Sequence, residues 1–336
     1  MDDLDKRILS VIQTDFPVAV RPFEVLGERL RADADDIARR VSAMRRSGSI
    51  RRLGAVFDSR ALGYFSTLVA ARVPPDRLDE VAAAVSQLHG VTHNYRREHA
   101  YNLWFTLTAE SEARVEAILA DLRSRTGIDA FFSLPALTVY KIRVHFDLAG
   151  GRAEKGSGTF SPGSGPSDNA EPAGEEVPDP FSAEQKHLVR LLQESVPDTT
   201  APFDDVAGEL GWPVDRVIEQ ITAWCGAGVI RRFGAVVRHQ RLGFAANGMS
   251  IYAVPADRID AVGRQLAERP EVSHCYRRPA LPDFPYTLFG MIHGRDERSV
   301  RALAAAFAGE HRIDAYDVLF STTEYKKVSM KYFVEE

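Results

Sequence analysis

Pairs of adjacent arginines stand at four places in this chain: Arg51-Arg52, Arg96-Arg97, Arg231-Arg232 and Arg277-Arg278. A guanidinium is a planar fork that holds both oxygens of a carboxylate at once. The chain as a whole is acidic, with 42 Lys and Arg against 47 Asp and Glu and a net charge of −5. Recurring pairs in an acidic chain therefore read as a local anion site. Ahead of two of the pairs stand an imidazole and a phenol, in His93-Asn94-Tyr95-Arg96-Arg97 and His274-Cys275-Tyr276-Arg277-Arg278. Alternate side chains of a strand share a face. His93, Tyr95 and Arg97 should thus point one way, as should His274, Tyr276 and Arg278, while Arg96 and Arg277 face the opposite way. Imidazole titrates near neutrality and suits proton delivery. The bland alternatives are solvated arginines at strand ends and histidines in structural hydrogen bonds. The latter is the favoured reading for His99, His145, His187, His239 and His311.

The elements that carry these residues occur twice. Ile50–Val56 returns as Ile230–Val236, Leu62-Gly63 as Leu242-Gly243, Tyr101–Trp104 as Tyr286–Phe289, and Tyr140-Lys141 as Tyr325-Lys326. The copies differ at one position of interest, since His293 aligns with Thr108. Within each copy, apolar residues at helical spacing (Leu4, Ile8, Leu9, Ile12; Phe23, Leu26, Leu30; Ile37, Val41, Met44) predict three short helices. Ser47-Gly48-Ser49 stops the third, and a strand follows, which gives a winged helix-turn-helix at 1–60 and again at 181–240. A βαββαβ order then predicts ferredoxin-like domains at 61–148 and 241–336, with the last strand of the first running from Ala130 to His145. Residues 149–180, rich in Gly, Pro, Ser, Ala and Glu, should be a disordered linker. The fold class is α+β, in two tandem copies whose open sheet faces pair as a pseudo-dimer.

The longest apolar runs span only a few residues, which excludes a transmembrane helix, and the acidic N-terminus is no signal peptide. Two cysteines, Cys225 and Cys275, are too few for a disulfide framework or a four-cysteine metal site. The expectation is a cytoplasmic protein.

A winged helix-turn-helix followed by a βαββαβ module resembles the Lrp/AsnC-type proteins, with Leu4–Leu9 and Gly48–Arg52 similar to their opening and helix-to-wing junction. More specifically, His93–His99 with Tyr101–Thr106 resembles one subunit type of the siroheme decarboxylases. Cys275–Pro279 with Pro285–Gly294 resembles the partner subunit. The chain is thus similar to a fusion of the two. Thr287 departs from the Asn expected there, as at Asn102. The resemblance implies non-oxidative removal of two acetate carboxyls of siroheme, giving 12,18-didecarboxysiroheme on the way to haem d1 or, by the alternative route, haem. It implies no separate cofactor, because the substrate brings its own iron and its ring is the electron sink. His274, His293, Tyr276 and His93 become the catalytic candidates, with His274 or His293 within reach of the substrate's iron. The four arginine pairs, Tyr286, Tyr325 and Lys326 become candidates for holding substrate carboxylates, in a space closed between the paired sheets, with the C-terminal half carrying more of the chemistry. Further dimerisation stays open. Two rivals remain: an Lrp/AsnC-type DNA-binding transcription regulator and a non-catalytic tetrapyrrole carrier or sensor. Residues 184–226 count against the first, because eight acids there face only Lys186, Arg190 and Arg216. Nucleic acid is accordingly not an expected partner.

Overall fold

The computed structural model describes residues 1–142, 180–237, 246–281 and 283–334. The expected linker, apart from Pro180, and the positions of His145, His239 and Leu242-Gly243 lie outside the described residues. The first copy runs α1 (Asp3–Thr14), α2 (Pro22–Leu30), α3 (Ala34–Arg46), β1 (Ile50–Phe57), β2 (Phe65–Ala71), α4 (Leu78–Gln87), β3 (Val91–Arg97), β4 (Leu103–Ala109), α5 (Glu112–Thr126), β5 (Phe131–Pro135) and β6 (Thr138–Ile142). The second runs α6 (Ala183–Leu192), α7 (Pro202–Leu210), α8 (Val214–Gly226), β7 (Ile230–Val237), β8 (Ala246–Tyr252), α9 (Ile259–Glu268), β9 (Val272–Arg277), β10 (Leu288–Gly294), α10 (Glu297–Glu310) and β11 (Tyr316–Lys327).

Local chemistry sets the helix ends. Asp2 and Asp5 form a capping box at α1, Ser182 and Gln185 another at α6, and Pro22 and Pro202 start the second helix of each copy. The predicted stripe residues Ile8, Leu9, Ile12, Leu26, Ile37 and Val41 are buried. One expectation fails here: β1 does not fold back into a wing. It pairs antiparallel with β7 of the other copy, Gly54 opposite Gly234, in an isolated two-stranded ribbon. The residues after Phe57 turn through Asp58, whose Oδ1 accepts from the amides of Arg60 and Ala61, and lead straight into the ferredoxin-like sheet. No local partner strand is left for β1, and the copy supplies one.

The two sheets are joined at both sides. The strand order is β5-β2-β4-β3-β11-β8-β10-β9-β6. β11 pairs with β8 of its own copy through Tyr316–Phe320 and then with β3 of the other through Ser321–Lys327. The first copy makes the same exchange differently. The single strand expected over Ala130–His145 breaks at Ala136-Leu137, so that β5 pairs with β2 and β6 crosses to β9. Each exchanged segment docks on the other copy's helix. Tyr140 donates to Asp260 on α9, and Tyr325 to Asp79 on α4. Separate apolar cores fill the space between each sheet and its helices. A third cluster packs between the sheets around Trp104, Phe284, Phe289, Met249, Ile251 and Leu319. Burying each large apolar side chain there contributes on the order of 2–3 kcal/mol. No helix of the described residues is long and apolar enough to cross a membrane.

Candidate active site

The strands deliver their chemistry through two irregularities. Pairing slips between Val91 and Asn94 on β3, and opposite Met291/Ile292 on β9. Such a bulge re-aims one side chain. Here it sets a hydroxyl beside each histidine: Thr92 Oγ1 lies 3.0 Å from His93 Nδ1, and Ser273 Oγ 2.8 Å from His274 Nδ1. In the second copy the chain continues, with His293 Nε2 at 2.7 Å from the same Ser273 Oγ. In the first it ends on Thr106 Oγ1, 2.6 Å from Thr92 Oγ1. The expected triplets do share a face. The rings of His93 and Tyr95 are 6.1 Å apart and those of His274 and Tyr276 6.2 Å, with Arg97 and Arg278 lying over the phenols at 5.7 and 4.8 Å.

Burial dominates the electrostatics. It pushes His274 down to about 4, helped by the nearby charges of His293, Arg231, His93 and Lys141. Burial and then Lys327 lower His93, with Glu324 opposing. Both rings rest neutral at pH 7. Burial raises the Tyr276 phenol, and it pushes Tyr95 up to about 12 with Glu324 adding to it.

A cavity of about 460 Å³ opens between the β1–β7 ribbon and the sheet of the first copy. This is within the usual range for small-molecule sites. Arg51, Arg52 and Arg232 line it on the ribbon side, and His93, Thr106 and Lys327 on the sheet side. Arg52 Nη1 donates to the carbonyls of Ala55 and Gln193, both at 2.7 Å, and Arg232 Nη1 donates to those of Gln13 and Ala235. Each guanidinium is therefore anchored to a helix end of the other copy. The Nε atoms of Arg52 and Arg232 are nevertheless buried with no hydrogen-bond partner. Arg231 is held by Asp58 at 2.5 Å and acts on His274 through its charge.

Across the whole chain, the sequence is 35% identical to a siroheme decarboxylase of Hydrogenobacter thermophilus, over 100% of this chain and 96% of that protein. The chain belongs to the siroheme decarboxylase family. Residues 5–51 and 185–231 match the siroheme decarboxylase NirDL-like HTH domain, and 61–141 and 241–326 the AsnC-like ligand binding domain. The siroheme decarboxylase alpha subunit of Desulfovibrio desulfuricans is 47% identical over 44% of this chain and 85% of its own length. The beta subunit of Oleidesulfovibrio alaskensis is 39% identical over 46% and 98%. The halves of this siroheme decarboxylase-family chain thus correspond to a fusion of two subunits. A crystal structure of the siroheme decarboxylase NirDL in co-complex with an iron-uroporphyrin III analogue superposes with a TM-score of 0.75. It is 33% identical and covers 99% of this chain and 95% of that one.

Five of the expected contacts point elsewhere. Arg96 and Arg277 lie on the helix-facing side, near Tyr325 and Tyr140 respectively, as strand alternation requires. Tyr325 is tied to Asp79, and Lys326 donates to the Leu88 carbonyl at 2.9 Å; both face α4. Tyr286 packs on Phe284, ring centroids 4.8 Å apart, in the plug between the sheets. That plug also corrects the expected location, because the space between the sheets is packed and the cavity lies at its end, under the ribbon. The cavity's lining comes from both copies, with Arg51, Arg52, His93 and Thr106 of the first and Arg232 and Lys327 of the second, and His274 lies close enough to His93 to feel its charge. Arg97 and Arg278 are on the predicted face, yet each donates to a backbone carbonyl, of Leu319 and Leu134. Residues missed from sequence are Ser273, Thr92, Thr106 and Lys327. The repeated hydroxyl-His dipeptide, Thr92-His93 and Ser273-His274, was a signal available for two of them.

Proposed function

We infer that this protein is a siroheme decarboxylase, a carboxy-lyase that removes two acetate carboxyls as carbon dioxide to give 12,18-didecarboxysiroheme. The observation that carries the reading is the ribbon-roofed cavity. Within a chain of this family, arginines from both strands of the ribbon face the His93 imidazole across a space of ligand size. Arg51, Arg52, Arg232 and Lys327 hold carboxylates of the substrate. The conjugated ring takes up the electron pair left by each departing carbon dioxide, so no further cofactor is called for. Each step consumes one proton overall, R–CH₂–COO⁻ + H⁺ → R–CH₃ + CO₂, and the protein must place that proton on carbon. His274 and His93 are the donors, with His293 behind His274 and Tyr276 beside it. Carboxylates arriving beside these buried imidazoles raise their proton affinity, and that favours delivery of a proton to the site. We assign these rings to proton transfer and not to the substrate's iron. The protein acts in the cytoplasm in this reading.

The regulator reading loses further ground on α3. Arg40 is spent on Asp2, Asp5 and Asp36, Arg39 on Asp36, and Arg45 on Asp198 and on the carbonyls of Val196 and Pro197 in the other copy. Cations neutralised this way have little to offer phosphates. Anaerobic incubation with siroheme followed by mass spectrometry tests the function. Loss of two carbon dioxide units is the expected result, and unchanged bound ligand would mean a carrier. A gel shift that persists at moderate salt would reinstate the regulator.

A further inference from the structure

We propose that Ser273 is a positioning residue for the decarboxylation. Its hydroxyl couples His293 to His274 as a proton relay that the first copy lacks. This rests on the functional reading above. The geometry is a chain of three groups, with His293 Nε2 and His274 Nδ1 at 2.7 and 2.8 Å from one Oγ. A hydroxyl has one hydrogen, so it donates to one ring while accepting N–H from the other. Ser273 is only 5% exposed, which keeps bulk water from competing for either bond. The bulge in β9 exists at the one point where it turns this hydroxyl out of the alternation and onto the histidine face.

The step balances as a concerted transfer. The Nε2 proton of a charged His293 passes to Ser273 Oγ, the Oγ proton passes to His274 Nδ1, and the His274 Nε2 proton passes to the substrate carbon. His293 ends neutral, His274 ends as the other neutral tautomer, and the substrate has gained one proton. His274 therefore never has to hold a resident charge in its buried site. In the first copy the equivalent chain runs from His93 through Thr92 to the Thr106 hydroxyl, with no second imidazole on it. Thr108, at the position of His293, donates instead to Ser66 at 2.9 Å.

Ser273→Ala and Ser273→Thr, assayed anaerobically with siroheme beside the wild type, decide the matter. Ser273→Ala should lower kcat by about 10²-fold, the low end of what a positioned proton transfer contributes, with KM within about twofold of wild type. Ser273→Thr should recover most of the rate, since Thr92 already makes the same bond in the first copy. The solvent deuterium isotope effect on kcat should report several protons in flight in the wild type and fewer in Ser273→Ala. A Ser273→Ala enzyme with wild-type kcat, or equal losses in both variants, overturns the relay. Should the Ala variant fold poorly, His293→Gln, which can still hydrogen-bond Oγ but has no proton it can transfer, must show the kcat loss; wild-type turnover there overturns the relay as well. Wild type that binds siroheme but releases no carbon dioxide overturns the functional reading, and the relay falls with it. Wild type that turns over alongside an equally fast Ser273→Ala overturns the relay alone.

Discussion

His274 is where burial and charge meet most sharply, and its effect on stability has a definite sign. Its folded-state value of about 4 lies below the ordinary 6.5, so between these values the unfolded chain binds more protons than the folded one. Stability should therefore fall as pH drops from 6.5 to 4, by on the order of 2–3 kcal/mol from this residue. Denaturant unfolding at pH 7 and pH 4.5 should show a shallower acid loss in His274→Gln than in wild type. The face shared by His274, Tyr276 and Arg278 was legible in the sequence, because alternation holds along an unbroken strand. Ser273 was not. A bulge belongs to the pairing of β9 with β10, and nothing in the residues of β9 alone announces it. The same failure explains Lys326 and Lys327. The register of β11 on β3 slips between Glu324 and Lys326, and the lysine that lines the cavity is Lys327, not the expected Lys326.

Among the elements, the β1–β7 ribbon is the most constrained. A Cβ on Gly54 would sit 2.4 Å from the Glu194 carbonyl and 2.7 Å from that of Leu192, and one on Gly234 would sit 2.4 Å from the Ile12 carbonyl. The ribbon is wedged against the helix of the opposite copy at both crossings, and backbone atoms cannot step aside cheaply. Gly54→Ala and Gly234→Ala should each cost about 1–3 kcal/mol, the range for overpacking, read as a lower melting temperature. They should also weaken siroheme binding, since the same strands carry Arg52 and Arg232. Helix positions and the three-helix pattern could be read from periodicity because they are local. That β1 would find its partner some 180 residues away could not, for a strand's sequence does not name what it pairs with.

At the scale of the molecule, the copies are held by far more than a covalent connection. The ribbon, both exchanged strands and the plug around Trp104 and Phe284 all cross between them. Cutting the chain at a protease site engineered within residues 149–180 should leave the two fragments co-eluting in gel filtration, with decarboxylation retained. Fragments that separate in native buffer would contradict this architecture. The duplication itself was plain in the sequence, and so was the pairing of sheets. What lay beyond it was which gap stays open, because that depends on how tightly Trp104, Phe284 and Phe289 close the other one. The difference between Thr108 and His293 gains its meaning from this fixed pairing. In an assembly of identical subunits every substitution appears on both sides of the axis, so a change useful on one side is also imposed on the other. One polypeptide bearing both versions guarantees one of each per particle. A lopsided substrate can then meet a lopsided pocket in every molecule made.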